Sequence, residues 1–176
     1  MDSINRNQPE HNRENLHGAE AVKKMQALIK VAQTGFFCTK VPSGQAARPM
    51  NVRQTDDEGN LWFLSASDSN LNAQIKAEPA VALFFQGSPH SDFLHLEGTA
   101  SLSTDKAKIK ELWEPVLSTW FTEGIDDPRI TVIKVVPTDG YYWDTKHGNT
   151  IAGIKMMIGA VIGKTLDDSI EGKLRP

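Results

Sequence analysis

The sequence predicts a mainly β domain of the barrel type with helices at its periphery, and three observations lead there. Segments with strand character are short and numerous, and Gly, Pro, Asn and Asp clusters separate them, which favours antiparallel pairing in a barrel over a parallel sheet. A length of 176 residues suits one domain of ordinary size. With 39% hydrophobic and 23% charged residues, the chain has the material for a core and is not globally disordered.

The elements follow in order. Residues 1–15 are polar and have nothing to bury, so they read as a disordered tail. Gly18 to Gln33 carries Val22, Met25, Leu28, Ile29 and Ala32 at helical spacing, the apolar face of a helix that Thr34-Gly35 ends. Gly35 to Val41 is aromatic and β-branched, a first strand, and Pro42-Ser43-Gly44-Gln45 is a turn. Arg48–Thr55 and Leu61–Ser65 read as strands paired across the turn Asp57-Glu58-Gly59-Asn60, where Gly accepts a positive φ. The acidic run Asp56-Asp57-Glu58 reads as a solvated turn.

A short helix follows over Asp68–Ala77, with Leu71 and Ile75 facing one way and Pro79 ending it. Ala80–Phe85 is nearly all apolar, the pattern of a central strand buried on both faces. Phe93–Ser103 alternates with a bulge expected at Gly98. Ser103-Thr104-Asp105 caps a helix running to about Trp120, which Pro115 should kink or split. Ile130–Val136 and Tyr141–Asp144 read as two strands across the turn Pro137–Gly140. Asn149–Gly163 is apolar at Ile151, Ile154, Met157, Ile158 and Val161, the pattern of a closing helix. The domain is expected over residues 16–164, and 165–176 reads as a polar tail.

Several function classes drop out. A net charge of −3 gives no reason to expect nucleic acid as a partner. The single Cys38 excludes an intrachain disulfide and a cysteine zinc cluster, and its apolar surroundings suggest a buried, inert thiol. His90, His95 and His147 lack metal-ligand spacing, so no metal is assigned. No basic-then-apolar leader and no bilayer-length apolar run is present, so no membrane partner and a cytoplasmic location are the expectation.

The stretch Ala47–Leu71 concentrates the chemistry. Arg48 on one strand and Ser65 at the end of another suit a single anion. The Ser67-Asp68-Ser69-Asn70 loop opens a helix whose first N–H groups are free for a phosphate. An edge-strand surface Arg and a plain N-cap at Ser69 are the simpler alternatives for the same residues.

Wider motifs add a family. Arg48-Pro49-Met50, Leu61-Trp62-Phe63-Leu64-Ser65, Ile75 with Pro79 and Glu97-Gly98-Thr99-Ala100 carry it. So do Glu111 through Leu117, Trp120-Phe121, Asp126-Asp127-Pro128, Pro137 with Tyr142-Trp143-Asp144, and Gly172-Lys173-Leu174. From about Gly18 onward the chain resembles the flavin-binding split β-barrels related to pyridoxamine 5′-phosphate oxidase, and among them the general stress proteins. The resemblance implies a six-stranded antiparallel split barrel, a homodimer, and flavin mononucleotide (FMN), with FAD as the alternative, in clefts between subunits. It places Arg48, Ser65, Ser69 and Asn70 around the flavin phosphate. Pro49, Met50 and Asn51 then run along the ring edge with Phe63 and Leu64 on the other strand, and Trp113, Trp120 and Trp143 lie where a second subunit covers the ring.

The chemistry is coherent, because a phosphate wants a guanidinium fork and hydroxyl donors, and a flat ring wants apolar walls. Two departures stand out. Asn70 and Leu71 occupy the places of the family's usual basic pair, and Asp144-Thr145-Lys146-His147-Gly148 lacks the Arg of the vitamin B6 oxidases. The resemblance therefore implies a flavin-dependent oxidoreductase that does not oxidise vitamin B6, with an unidentified small-molecule electron donor or acceptor. No side chain offers itself as a catalytic base. A flavin-storing stress protein without turnover and a cofactor-free dimeric scaffold stay open as alternatives.

Overall fold

Residues 12–146 and 169–176 are described by the computed structural model; His147 and the helix expected over Asn149–Gly163 lie outside the described residues. The elements are β1 (Leu16–His17), α1 (Gly18–Ala32), β2 (Thr34–Val41), β3 (Gly44–Asn51), β4 (Gln54–Thr55), β5 (Leu61–Ala66), α2 (Asn70–Ala77), β6 (Ala80–Gln86), β7 (Phe93–Ser103), α3 (Lys106–Leu112), β8 (Ile130–Thr145) and β9 (Ser169–Arg175).

They form one mixed sheet in the order β1-β9-β8-β7-β6-β2-β3. Every pairing along it is antiparallel except β1 with β9. Strand β5 joins from the side, pairing with the first part of β8 and with β4. Beyond Trp62 the edge of β5 away from β8 has no strand partner among the described residues, and β3 is likewise an edge.

Alternation decides which side chains turn inward. Phe37 of β2, Leu83 and Phe85 of β6, and Leu94 and Leu96 of β7 share one core with Phe63 of β5 and with Ala21, Met25, Leu28 and Ile29 of α1. Phe37 and Phe63 meet edge to face, centroids 5.4 Å apart at 83°, although their strands are not neighbours. The curled sheet thus brings two distant strands together, a contact worth about 0.5–1.5 kcal/mol beyond burial. A second, smaller core gathers Leu64, Ile109, Leu112, Leu117, Phe121, Ile130 and Val132 beneath α3 and the loop after it.

Several sequence expectations are corrected. The strand holding Arg48 pairs with β2, placing Arg48 opposite Phe37, and only Gln54–Thr55 of the expected partner strand reaches β5. The turn at Pro42–Ser43 makes the β2–β3 hairpin first and uses up that edge of β2. Ile130–Thr145 is one continuous strand rather than two. The Pro137 region is a bulge: Gly98 faces Pro137 while Glu97 faces Asp139, so Thr138 is the extra residue. A Cβ on Gly98 would lie 2.5 Å from the Val136 carbonyl oxygen, which is why glycine stands there.

β6 buries only one face, since Phe84 points outward. Pro115 opens a separate 3-10 helix, Pro115–Thr119, so Trp113 and Trp120 do not share one helix face. Part of the expected C-terminal tail is instead strand β9, with Leu174 fully buried against the core. Gly172 lets residues 12–14 pass close by, because a Cβ there would clash with the Glu14 carbonyl. The hydroxyl of Tyr142 donates to that same carbonyl at 3.0 Å, and burial pushes its pKa up to about 12.

Candidate functional site

Strand β3 carries consecutive residues to opposite faces. Arg48 turns inward beside Thr39 of β2 and Gln74 of α2, and Pro49 turns outward beside Phe36. The Arg48 guanidinium donates from Nη2 to Gln74 Oε1 at 2.7 Å and from Nη1 to Thr39 Oγ1 at 3.2 Å. Thr39 Oγ1 in turn donates to Gln74 Oε1 at 2.6 Å. Arg48 forms no ion pair with a carboxylate among the described residues. Burial lowers its pKa, and the neighbouring Cys38 acts weakly the other way. The Cys38 thiol is pushed up by burial and pulled partly back by Arg48.

The start of α2 forms a second polar group. Ser69 is the N-cap, its hydroxyl accepting from the Asn72 N–H at 3.2 Å and lying 3.1 Å from the Ser65 hydroxyl. Fully buried Asn72 donates from Nδ2 to Thr131 Oγ1 at 2.7 Å, and Thr131 donates to the Ser65 carbonyl at 2.8 Å. The preceding loop is braced from below: the Ser67 N–H donates to the Arg129 carbonyl at 2.7 Å. Asp127 grips Arg129 with both carboxylate oxygens, at 3.0 Å to Nε and 2.7 Å to Nη2. That grip, with burial working against it, holds the Asp127 pKa down to about 2. Asn70 is exposed, whereas Leu71 is buried in the main core.

The outer face is aromatic. Phe36 (57% exposed), Phe84 (44%) and Trp143 (37%) lie in a cleft of about 660 Å³ that Pro49 and Phe93 also line. Phe84 and His95 stack with ring centroids 4.5 Å apart and planes 9° off parallel. Asn51, at the end of β3, lines a separate polar cleft of about 720 Å³ against α1. There it accepts from Arg53 at 2.8 Å, and Arg53 pairs with Glu114 at 2.5 Å.

The residues singled out by the sequence therefore fall into three places. Arg48 lies in the inner cradle, and Ser65 and Ser69 touch each other at the start of the helix that supplies Gln74. Pro49 and Trp143 share the outer cleft, with half-buried Met50 packed on the core side of β3. Phe63 and Leu64 spend their side chains on the two cores, leaving backbone at the free edge of β5. Trp113 packs on Phe121, centroids 6.3 Å apart, in the smaller core, and Trp120 is 64% exposed at the end of the 3-10 helix. Sequence reasoning passed over Thr39, Gln74, Asn72 and Thr131. The available signal was polar residues inside apolar stretches, Thr39 in β2 and Thr131 in β8.

A mixed sheet with peripheral helices, an arginine on its inner side and an aromatic cleft on its outer side is an arrangement consistent with the split β-barrel class. The chain belongs to the pyridoxamine 5′-phosphate oxidase-like family, whose description matches residues 20–167. With the general stress proteins, that family falls in the FMN-binding split-barrel superfamily. A structure from Jannaschia sp. CCS1, named after general stress protein 26, superposes with a TM-score of 0.76 at 23% identity, covering 90% of this chain and 99% of that one. That likeness shows the fold. The general stress FMN/FAD binding protein of Xanthomonas citri superposes at 0.58 with 27% identity, covering 67% and 84%. Protein bli-3 of Neurospora crassa is 28% identical over 105 residues, 54% of this chain and 50% of the relative; the chain spans about half the length of this curated relative.

Proposed function

We propose that this protein binds a flavin, with a phosphate in the inner cradle and the ring beside β3, in a cleft that a second copy of the chain closes. One observation carries the reading. Arg48 is a half-buried guanidinium held in place by two neutral oxygens, with no carboxylate on it among the described residues. A positioned cation without a counter-ion is an anion site.

The residues present fit such a group. Arg48 offers its fork, Ser65 and Ser69 offer hydroxyls, and the exposed edges of β3 and β5 offer backbone donors and acceptors for a planar ring. Exposed Phe36, Phe84 and Trp143 form an apolar patch of the kind a partner surface covers. A bound flavin supplies hydride and single-electron chemistry. The chain's own part is to hold it, exclude water from it and tune it, and no described side chain near Arg48 is placed as a general base.

The test is the absorbance spectrum of the protein as isolated, followed by identification of any released ligand. A yellow protein with flavin bands supports the reading. A colourless protein whose melting temperature ignores added FMN and FAD overturns it. Reduction of bound flavin by a nicotinamide donor, faster than that of free flavin, distinguishes turnover from storage.

A further inference from the structure

We propose that the cradle is built for a phosphate carrying one negative charge, as each phosphorus of the FAD pyrophosphate does, and disfavours the doubly charged terminal phosphate of FMN. The inference rests on the flavin reading above and concerns which flavin the site selects.

Counting charges leads to it. Arg48 is the one cation that the described residues bring to the cradle. Its partners Thr39 and Gln74 are neutral, and so are Ser65, Ser69 and Asn70. Leu71 cannot be exchanged for a cation without loss, since it is buried in the main core. Lys40 follows Thr39 on β2, so alternation sends it to the opposite face. Lys76 lies two positions from Gln74 on α2, and residues two apart on a helix do not face each other. Arg129, which braces the loop, is held by both oxygens of Asp127. Asp68, in the turn before α2, acts electrostatically on that same Arg129.

Gln74 sharpens the point. Its Oε1 takes hydrogen bonds from Arg48 and Thr39, which leaves its amide nitrogen as a neutral donor where a lysine would add charge. A neutral donor satisfies a phosphate oxygen without balancing its charge. A dianion therefore keeps one charge that the described residues of this chain do not balance, in a half-buried place, and burying such a charge is costly.

The experiment uses the full chain stripped of ligand. It is titrated by flavin fluorescence or calorimetry with riboflavin, FMN, FAD, and the methyl ester of FMN, which keeps the ring and ribityl chain but carries one charge less. The methyl ester is expected to bind more tightly than FMN, and riboflavin more weakly than both. Asn70→Lys, at an exposed first position of α2, is expected to reverse that order, with FMN gaining about tenfold, the scale of one hydrogen bond to a charged group. FMN binding as tightly as its methyl ester, or more tightly, in the wild-type chain overturns the inference while leaving the flavin reading intact. Riboflavin binding as well as the phosphates also overturns it, by showing that no phosphate is read. Binding of none of the four overturns the flavin reading and this inference together. If Asn70→Lys does not fold by circular dichroism, the wild-type comparison decides alone.

Discussion

The inner and outer faces of the β2–β3 hairpin are built in opposite ways from residues one position apart. Inside, Arg48 and Thr39 join Gln74 in a network where each hydrogen bond has a defined partner. Outside, Pro49, Phe36 and Phe84 leave an apolar surface with no covering element among the described residues. The inner face is a polar network and the outer face an apolar surface. On the proposed flavin reading, a single edge strand addresses both ends of the ligand, its charged tail on one side and its ring on the other. Strand alternation makes that possible, since a helix would put consecutive residues only 100° apart.

The comparison can be broken at either face. The largest effect is expected from Arg48→Ala, which removes the one cation that the described residues bring to the cradle. Flavin affinity should fall by about a hundredfold or more, while the proposed dimer and the circular dichroism spectrum stay unchanged. Loss of the dimer in that variant would show that the two faces are not separate. Next is Phe84→Glu on the outer face. The ring is already 44% exposed, so the fold should survive, and light scattering should report monomer in place of the proposed dimer. A weaker hold on flavin in the monomer would place the ring at the interface; an unaltered dimer would put the interface elsewhere.

Asp127→Asn tests the brace beneath the loop that opens α2 and should destabilise the protein at neutral pH. The folded pKa of Asp127 is depressed to about 2 from the usual 3.8. Its contribution is therefore fully present above 3.8 and is lost as pH falls toward about 2, so the stability gap between variant and wild type should close across that window. Denaturant curves at several acid pH values check the sign. The smallest effect is expected from Ser69→Ala, about 1 kcal/mol of stability for a lost N-cap. An additional fall in flavin affinity would make that hydroxyl a phosphate ligand, and unaltered affinity would leave it a cap alone.

Much of the architecture was legible in the chain because it is local. The stripe Val22, Met25, Leu28 and Ile29 announces α1, and the alternation through Leu94, Leu96 and Ala100 announces β7, while the bulge expected at Gly98 has its extra residue, Thr138, on the facing strand β8. What was misread depends on partners remote in sequence. Pro137 looked like a turn because proline and glycine punctuate both turns and bulges, and only the facing Gly98 tells them apart. Ser169–Arg175 looked like a tail because it is polar, yet it lies at the end of β8 with Leu174 as its single deep anchor.

By itself the sequence determined helix α1, the alternating sides of a strand such as β7, the presence of a guanidinium at Arg48 and the family. Those follow from side-chain period and from residue identity, which need no knowledge of distant neighbours. Tertiary structure alone decided that Arg48 meets Thr39 and Gln74, that Phe63 and Leu64 serve the cores, and that Phe36, Phe84 and Trp143 share one surface. Strand order and curl bring residues of remote number within a few ångströms, and hydrogen-bond partners are chosen there by proximity.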